Sequence, residues 1–378
     1  MNSVLFETAK IKNIELRNRF VMSAAADHLS TEKGHVTNLQ IARFNQLAEG
    51  GVGLIISGAI LAHSSGKTYA GSPTLADDDA IAGYKKLVSE VHKRGAKIAA
   101  QLCHSGISTS RYQNTLGREG IAPSLIPEND YYFNTQNSMF LPGKYHAATD
   151  EEIRAIIRAF GDAALRAKEA GFDAVQLHGA HSSLLSQFLS PHTNRRTDSW
   201  GGSLENRIHI HREMYGDIRT KVGEDYPVMI KLGVEDGGPG GLKFNEGKIV
   251  ACYLSELGFD ALEISQGLMG KLWEETPMRT RINSIEKEAY FRDWCREVTG
   301  AIDTPTMLVG GLRTFELMEE IVRNHEADFI SLCRPLIREP GLINDWKRGD
   351  THRATCVSCN KCALALGEGK PLDCYLEG

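Results

Sequence analysis

Short apolar runs alternate with amphipathic stretches along the chain. Eight runs rich in apolar and β-branched residues are typical of buried strands. They begin at Arg19, Gly53, Lys97, Phe172, Pro227, Phe259, Pro305 and Ala327. Most are separated by stretches with helical periodicity. In the clearest of these, Thr149 and Glu152 have the spacing of a capping box, and Gly171 is placed to end the helix.

Strand and helix repeated eight times predict an α/β protein with a (β/α)8 TIM barrel. A doubly wound open sheet is the competing architecture, because periodicity does not show whether a sheet closes. Residues 104–148 and 266–285 are longer segments that follow strand ends, where barrel enzymes build substrate pockets. We expect residues 1–350 to form the barrel and residues 351–378 to form a short Cys-rich C-terminal extension.

Composition narrows the possible partners. The 378 residues exceed the usual single-domain length, but α/β barrels reach this size as one unit. A net charge of -5 and a pI near 6.2, without a basic stripe, argue against a nucleic acid or an anionic membrane as partner. No apolar run in the sequence is long enough to cross a bilayer, so we expect a soluble, cytoplasmic protein.

Several side chains at the predicted strand ends suit a flat, anionic ligand. The small residues Ala24 and Ala25 leave the backbone open to close approach, and the amide of Gln101 can both donate to and accept from a heterocycle edge. Lys231 lies in apolar sequence, where an unpaired ammonium would be costly, so we expect an anionic neighbour.

The last two predicted strands end in residues that suit a phosphate group. Gly310 and Gly311 follow the seventh strand, and Arg334 follows the eighth, where barrels commonly bind phosphate. With the flat, anionic ligand expected at the other strand ends, this describes FMN. A flavin-free phosphate-binding barrel, such as an isomerase or aldolase, is the alternative.

Longer motifs make a family resemblance specific. The sequence contains "NRFVMSA", "QLCHSG", "GFDAVQLHGAH", "SQFLSPHTNRRTDSWGGSLENR", "VGGLRT" and "CRPLIREP" in that order. With these motifs it resembles the old yellow enzyme family of NADH:flavin oxidoreductases, near the 2,4-dienoyl-CoA reductase branch, over nearly the whole chain. Compared with that branch, we expect the protein to lack the C-terminal FAD and NAD(P)H domains.

The resemblance implies that the barrel binds FMN. The residues that it implies for this role are Ala24, Ala25, Gly58, Gln101, Lys231, Gly310, Gly311, Cys333 and Arg334. Gln101 would read the pyrimidine edge of the flavin, and Lys231 would stabilise the negative charge of the reduced ring. Gly310, Gly311 and Arg334 would hold the phosphate.

The fourth strand ends in two histidines, His178 and His181. By the resemblance these are the catalytic pair, which would grip a substrate carbonyl oxygen and stabilise the enolate that forms on hydride transfer. The alternative is that both histidines are structural residues of the core whose hydrogen bonds are satisfied within the protein. A metal pair is compatible with the spacing, but no third ligand stands nearby in the sequence.

The sequence departs from the family pattern at Ser183. Many relatives have a tyrosine there, which donates the proton that completes alkene reduction. A serine hydroxyl is shorter and less acidic, so a water, or another side chain such as Tyr69 or Tyr131, supplies the proton, or the natural acceptor needs none. Ala26 likewise replaces a residue that tunes the flavin in many relatives.

Four cysteines close the sequence in a C-x2-C-x2-C-x11-C pattern: Cys356, Cys359, Cys362 and Cys374. In a cytosolic protein such spacing indicates a metal site rather than disulfides. The resemblance implies a 4Fe-4S cluster, although the third cysteine of the branch usually lies one residue later. Bound zinc and metal-free thiols remain open.

The sequence thus predicts an FMN-dependent oxidoreductase that transfers hydride from reduced flavin to an activated alkene, either an α,β-unsaturated carbonyl compound or an enoyl thioester. NAD(P)H or an electron-donating protein partner would reduce the flavin. The alternatives are a flavoprotein that reduces another acceptor, such as a quinone or nitro compound, and an electron-transfer subunit of a larger complex. We also expect a homo-oligomer.

Overall fold

The computed structural model describes residues 2–127, 130–131 and 143–376. Its strands are β1 (Ala9–Ile11), β2 (Ile14–Leu16), β3 (Phe20–Met22), β4 (Leu54–Leu61), β5 (Lys97–Cys103), β6 (Gly120–Ala122), β7 (Tyr145–Ala147), β8 (Ala174–Gly179), β9 (Val228–Gly233), β10 (Ala261–Ser265), β11 (Thr306–Val309) and β12 (Phe329–Leu332). The eight predicted strands are β3, β4, β5 and β8 to β12. All eight are present.

These eight strands form a closed parallel barrel in the order β10-β11-β12-β3-β4-β5-β8-β9. Closure confirms the (β/α)8 architecture and excludes the open doubly wound sheet. The chain thereby brings the carboxyl ends of all eight strands to one mouth, where barrel enzymes place their chemistry.

The helices are α1 (Asn38–Glu49), α2 (Ile81–His92), α3 (Ser110–Thr115), α4 (Asp150–Glu169), α5 (Leu184–Leu189), α6 (Leu204–Val222), α7 (Phe244–Leu257), α8 (Arg292–Thr299), α9 (Phe315–Arg323), α10 (Arg334–Arg338), α11 (Leu342–Arg348) and α12 (Lys361–Gly367). Helix α4 has the predicted capping box between Thr149 and Glu152, and Gly171 follows its end at φ 90°. Within the described ranges, no helix is long and apolar enough to span a membrane.

Two short strand pairings were not predicted from the sequence pattern. The antiparallel hairpin β1–β2 packs its apolar side chains against the amino-terminal end of the barrel. Strands β6 and β7 pair in parallel within the segment 104–148; of this segment, residues 128–129 and 132–142 lie outside the described part. Strands of three residues give too short a hydrophobic alternation to be recognised in a sequence.

Side chains that point into the barrel form two layers, because alternate residues of a strand face the same side. The lower set, the apolar layer, consists of Val21, Ala99, Ala174, Met229, Ala261 and Phe329 and packs against the hairpin. Two residues further along the same strands, the polar layer consists of Ser23, Gln101, Gln176, Lys231, Glu263 and Ser331. The change from apolar to polar occurs towards the mouth.

Candidate active site

A cavity of about 310 Å³ opens above the polar layer at the mouth of the barrel. Its size is typical of small-molecule and cofactor sites. The predicted residues that line it are Ala24, Ala25, Gln101, His178, His181, Lys231, Gly310, Gly311, Cys333 and Arg334. The structure therefore brings together, at one place, residues that are up to 310 positions apart in the sequence.

Gly58 is the one predicted cofactor residue that is not among those lining the cavity; its neighbour Ala59 is. The backbone of Gly58 forms a bridge with Ala25, and a Cβ at this position would come within 2.7 Å of the Cβ of Gln101. Glycine here thus allows the close packing that places Gln101. Gly58 lies within β4, where the strand register is irregular, and the resemblance did not show which residue of this irregularity faces the cavity.

The polar layer is held together by one continuous hydrogen-bond network. Lys231 Nζ lies 3.0 Å from Glu263 Oε1 and donates to Ser23 Oγ at 2.8 Å. Glu263 also accepts from Ser331 and from Gln176, and Gln176 Oε1 accepts from Gln101 Nε2 at 2.7 Å.

Glu263 is the anionic neighbour that Lys231 requires. Burial tends to raise the pKa of the Glu263 carboxyl, but Lys231 and the hydroxyl donors outweigh it and hold this pKa below its usual value. Glu263 is therefore ionised, and the side chains of the pair are only 3% and 0% exposed. The sequence predicted an anion beside Lys231 but did not identify this glutamate.

The two histidines lie together at the cavity wall. Their ring centroids are 5.3 Å apart and their planes are nearly perpendicular. His181 Nε2 forms a hydrogen bond of 2.7 Å with Ser265 Oγ, whereas Nδ1 of His178 is buried without a hydrogen-bond partner among the described residues. A buried polar atom with no partner is expensive unless a ligand satisfies it.

Burial makes both imidazoles neutral. It lowers the pKa of His178 to about 3, with a smaller contribution from the nearby Lys231 charge. Burial also lowers the pKa of His181 well below its usual value, again with Lys231 as the next cause. Each neutral ring has one N–H donor and one acceptor nitrogen, so the pair can donate without carrying charge.

The glycine turn after β11 has a physical requirement for glycine. Gly310 and Gly311 have φ values of 121° and 73°, which are unfavourable for other residues. A Cβ on either one would come within 2.7 Å of the ring of Tyr290. The ring of Tyr290 thus packs directly against the turn, and all three residues line the cavity.

Arg334 begins helix α10 and lies at the boundary between the barrel mouth and the C-terminal segment. Its Nη1 donates to the carbonyl of Arg279 at 2.8 Å and to Asn360 Oδ1 at 2.6 Å. The side chain is thus anchored by hydrogen bonds to neutral groups. No ion pair of Arg334 occurs among the described residues, so its charge is available to an anionic ligand.

Ser183, where the resemblance would have implied a tyrosine, is closed off from the cavity. Ser183 is 3% exposed, donates to the carbonyl of His178 at 2.5 Å and precedes α5. Neither Tyr69 nor Tyr131 is among the residues lining the cavity. Tyr69 packs on the ring of His28, and Tyr131 donates to Glu275 at 2.5 Å. Among the described residues, the tyrosine that lines the cavity is Tyr290, and its hydroxyl donates to Pro277 O at 2.6 Å.

The four C-terminal cysteines are free thiols that surround one small pocket between α10 and α12. Two of them, Cys356 and Cys362, also line the main cavity. Arg338 donates to Cys374 Sγ at 3.2 Å. Within the described ranges, no three His, Cys, Asp or Glu side chains are placed to hold a single metal ion.

Sequence reasoning missed three residues of this site. Glu263 and Ser265 lie on β10 at alternate positions, so the strand pattern placed them inside the barrel. Which residue faces which across neighbouring strands depends on register, which a single sequence does not give. Tyr290 lies in a segment without strand periodicity, and no signal in the sequence connects it to the glycine turn.

Comparison with known proteins is consistent with this arrangement. A model of the NADH:flavin oxidoreductase / NADH oxidase family matches residues 4–352. The chain is 36% identical over 362 residues to an NADH oxidase of Thermoanaerobacter brockii, covering 94% of this chain and 52% of that protein. It is 33% identical over 344 residues to an NADPH dehydrogenase of Bacillus cytotoxicus, covering 90% and 91%.

Among solved structures, a complex of 2-naphthoyl-CoA reductase with 2-naphthoyl-CoA is similar, with a TM-score of 0.88 and 26% sequence identity. The match covers 99% of this chain and 57% of that one. The chain thus spans about half the length of this reductase and of the NADH oxidase, and most of the length of the NADPH dehydrogenase.

Proposed function

The chain belongs to the NADH:flavin oxidoreductase / NADH oxidase family, the old yellow enzyme family, and we propose that it passes hydride from FMN to an activated alkene. The acceptor would be an α,β-unsaturated carbonyl compound or an enoyl thioester. The observation that carries the proposal is the cavity at the barrel mouth, since every predicted cofactor and catalytic residue except Gly58 lines it.

The residues present fit FMN. The glycine turn offers backbone at positive φ beside Arg334, which suits a phosphate. Lys231 and Gln101 form the polar floor, which suits the pyrimidine edge of the flavin, and the small side chains of Ala24 and Ala25 leave room for a flat ring. FMN, when bound, would supply the hydride that it takes from NAD(P)H.

The two histidines would bind the carbonyl oxygen of the acceptor. Both are neutral, so each can direct one N–H at that oxygen and stabilise the negative charge that develops on it. The hydrogen bond with Ser265 fixes the ring of His181. Nδ1 of His178 has no hydrogen-bond partner among the described residues and can therefore bond to a ligand. This geometry would favour acceptors that carry a carbonyl group next to the double bond.

The test is the reoxidation of NADPH-reduced protein by 2-cyclohexenone under anaerobic conditions. His178→Ala/His181→Ala should retain FMN and slow reoxidation by about 100-fold or more, the effect of losing an oxyanion-stabilising donor. His325→Asn, which changes an exposed histidine outside the cavity, is the matched control and should react as wild type does. Unchanged reoxidation in the double variant would contradict the proposal.

A second candidate acceptor is a quinone or a nitro compound. Among the described residues, no tyrosine hydroxyl is directed at the cavity, which favours such an acceptor because it does not depend on a positioned tyrosine to protonate carbon. Turnover of NADPH with a quinone that exceeds turnover with cyclohexenone at least tenfold would favour this candidate over the alkene.

We infer that residues 1–350 are the FMN-binding barrel and that residues 351–378 form a Cys-rich extension that holds a 4Fe-4S cluster. The support is the placement of all four thiols around one pocket, together with the affinity of thiolates for iron–sulfur clusters. Zinc is disfavoured, because the described side chains do not converge on a point that a single ion could occupy. An electron-donating protein partner would be consistent with such a cluster.

Iron and acid-labile sulfide in anaerobically purified protein test the cluster. About four irons per chain are expected for a cubane. Cys359→Ser should lose the iron and keep FMN, since Cys359 does not line the main cavity. Stoichiometric zinc, or neither metal, would contradict the assignment without affecting the FMN site.

A further inference from the structure

The positive charge of Lys231 beneath the cavity is balanced by the negative charge of a neighbouring carboxylate of the protein. Glu263 and Lys231 are register partners across β9 and β10, and their charged atoms lie 3.0 Å apart. Both side chains are almost completely buried. Because strand register fixes the pair, Lys231 does not face the ligand as an uncompensated cation.

The surroundings of Glu263 are built to keep it charged. Its Oε1 accepts from the hydroxyls of Ser23 at 2.7 Å and Ser331 at 2.8 Å, in addition to Lys231. Its Oε2 accepts from Gln176 Nε2 at 3.1 Å. Each neighbour thus presents a donor, and donors stabilise the ionised form of a carboxyl group.

The carboxylate also orders the chain of amides that leads to the cavity. An ionised carboxylate can only accept hydrogen bonds, so Gln176 must direct its NH₂ group at Glu263. The carbonyl oxygen of Gln176 then faces Gln101 and accepts from its Nε2. The orientation of the Gln101 amide at the cavity floor therefore follows from the charge of Glu263.

We propose that Glu263 is a positioning residue that acts through Lys231 and lowers the reduction potential of the bound flavin. This inference rests on the proposed function, because it concerns FMN in the cavity. A lone ammonium at the floor, in a site shielded from water, would strongly favour the reduced and more negative form of the flavin. The carboxylate behind it offsets much of that effect, so the reduced form gives up hydride more readily.

The test is the midpoint potential of the flavin, measured spectroelectrochemically on the FMN-loaded protein. Glu263→Gln keeps the shape of the side chain and removes its charge. We expect the equilibrium to shift at least tenfold towards reduced flavin, which is a rise of about 30 mV for a two-electron couple. A change in packing alone would alter FMN affinity in both redox states and would leave the potential in place.

Ser331→Ala is the matched control, since it removes a neutral hydroxyl from the same carboxylate oxygen and leaves both charges. In this variant, the equilibrium constant between oxidised and reduced flavin that follows from the midpoint potential should stay within about threefold of the wild-type value. An unchanged or lower potential in Glu263→Gln, or an equal rise in Ser331→Ala, would overturn the inference. A wild-type protein that binds no FMN would instead contradict the proposed function.

A second variant covers the case in which Glu263→Gln fails to fold around an unpaired lysine. Lys231→Met/Glu263→Gln removes both charges, so the net charge beneath the flavin stays as it is in wild type. In this double variant, the equilibrium constant between oxidised and reduced flavin should remain within about tenfold of the wild-type value. A larger shift towards oxidised flavin would mean that Lys231 acts as an uncompensated charge, which contradicts the inference.

Discussion

The apolar and polar layers of the barrel interior come from the same strands and lie only two residues apart. The apolar layer is filled by aliphatic and aromatic side chains and is closed from below by the hairpin β1–β2. The polar layer contains a buried ion pair, two amides and two hydroxyls. One strand can therefore serve stability at one position and chemistry at the next inward-facing position.

The difference indicates what each layer contributes. Burying apolar surface stabilises the fold directly, whereas burying an ion pair costs a desolvation free energy that the mutual attraction only partly offsets. A barrel selected for stability alone would continue the apolar pattern up to the mouth. The polar layer occurs where the cavity begins, so we interpret it as the floor of a ligand site.

The largest effect is expected from breaking the ion pair. Lys231→Met leaves the buried carboxyl of Glu263 without its counter-charge. The free energy of unfolding, measured by denaturant titration of FMN-free protein, should fall by about 3–5 kcal/mol. Lys231→Met/Glu263→Leu should recover most of this loss, because an apolar pair can replace a buried ion pair at little cost. A double variant as unstable as the single one would contradict this view of the polar layer.

The sequence predicted the strands of the barrel more completely than the contacts within the polar layer. Periodicity located all eight strands, and the chemistry of the strand ends together with the family resemblance singled out Lys231, Gln101 and both histidines as candidates, all of which line the cavity. The partner of Lys231 was not identified, because Glu263 follows Lys231 by 32 residues and meets it only through strand register. The closed position of Ser183 likewise depends on the turn that precedes α5.

The next largest effect is expected in the apolar layer. Met229→Ala creates a cavity at a position that is completely buried, and it should lower the free energy of unfolding by about 3 kcal/mol. Because Met229 is two residues below Lys231 and does not line the cavity, FMN content should match wild type. A loss of FMN at unchanged stability would mean that the two layers do not have separate roles.

Histidine burial gives a smaller, pH-dependent effect. Burial lowers the pKa of His211, on α6 outside the barrel, to about 4, while the unfolded chain protonates near 6.5. The unfolded state thus binds more protons below that pH, and stability falls as pH decreases from about 6.5 towards 4. One such group contributes up to about 1.4 kcal/mol per pH unit.

His211→Leu should therefore flatten the dependence of the unfolding free energy on pH between about 6 and 4, and His325→Asn should not. His178, whose pKa burial lowers to about 3, retains its own contribution in both variants. An unchanged slope in His211→Leu would contradict the assignment of the acid sensitivity to this buried ring.

The smallest effect is expected at the rim of the polar layer. Ser265→Ala removes the hydroxyl that fixes His181 but leaves both imidazoles and the ion pair. The rate of flavin reoxidation by cyclohexenone should fall several-fold, corresponding to about 1 kcal/mol for one neutral hydrogen bond. Ser265→Thr, which keeps a hydroxyl, should restore part of the rate. Equal rates in all three proteins would exclude a positioning role for Ser265.

The most direct test of the central claim, that the cavity above the polar layer is an FMN site, is an equilibrium titration of FMN-free protein with FMN, followed by flavin fluorescence. We predict one FMN per chain in wild type and about 10- to 100-fold weaker binding in Arg334→Ala, since charged contacts to a phosphate contribute about 1.5–3 kcal/mol. Failure to bind FMN would contradict the account and would favour a flavin-free barrel that holds another phosphate compound.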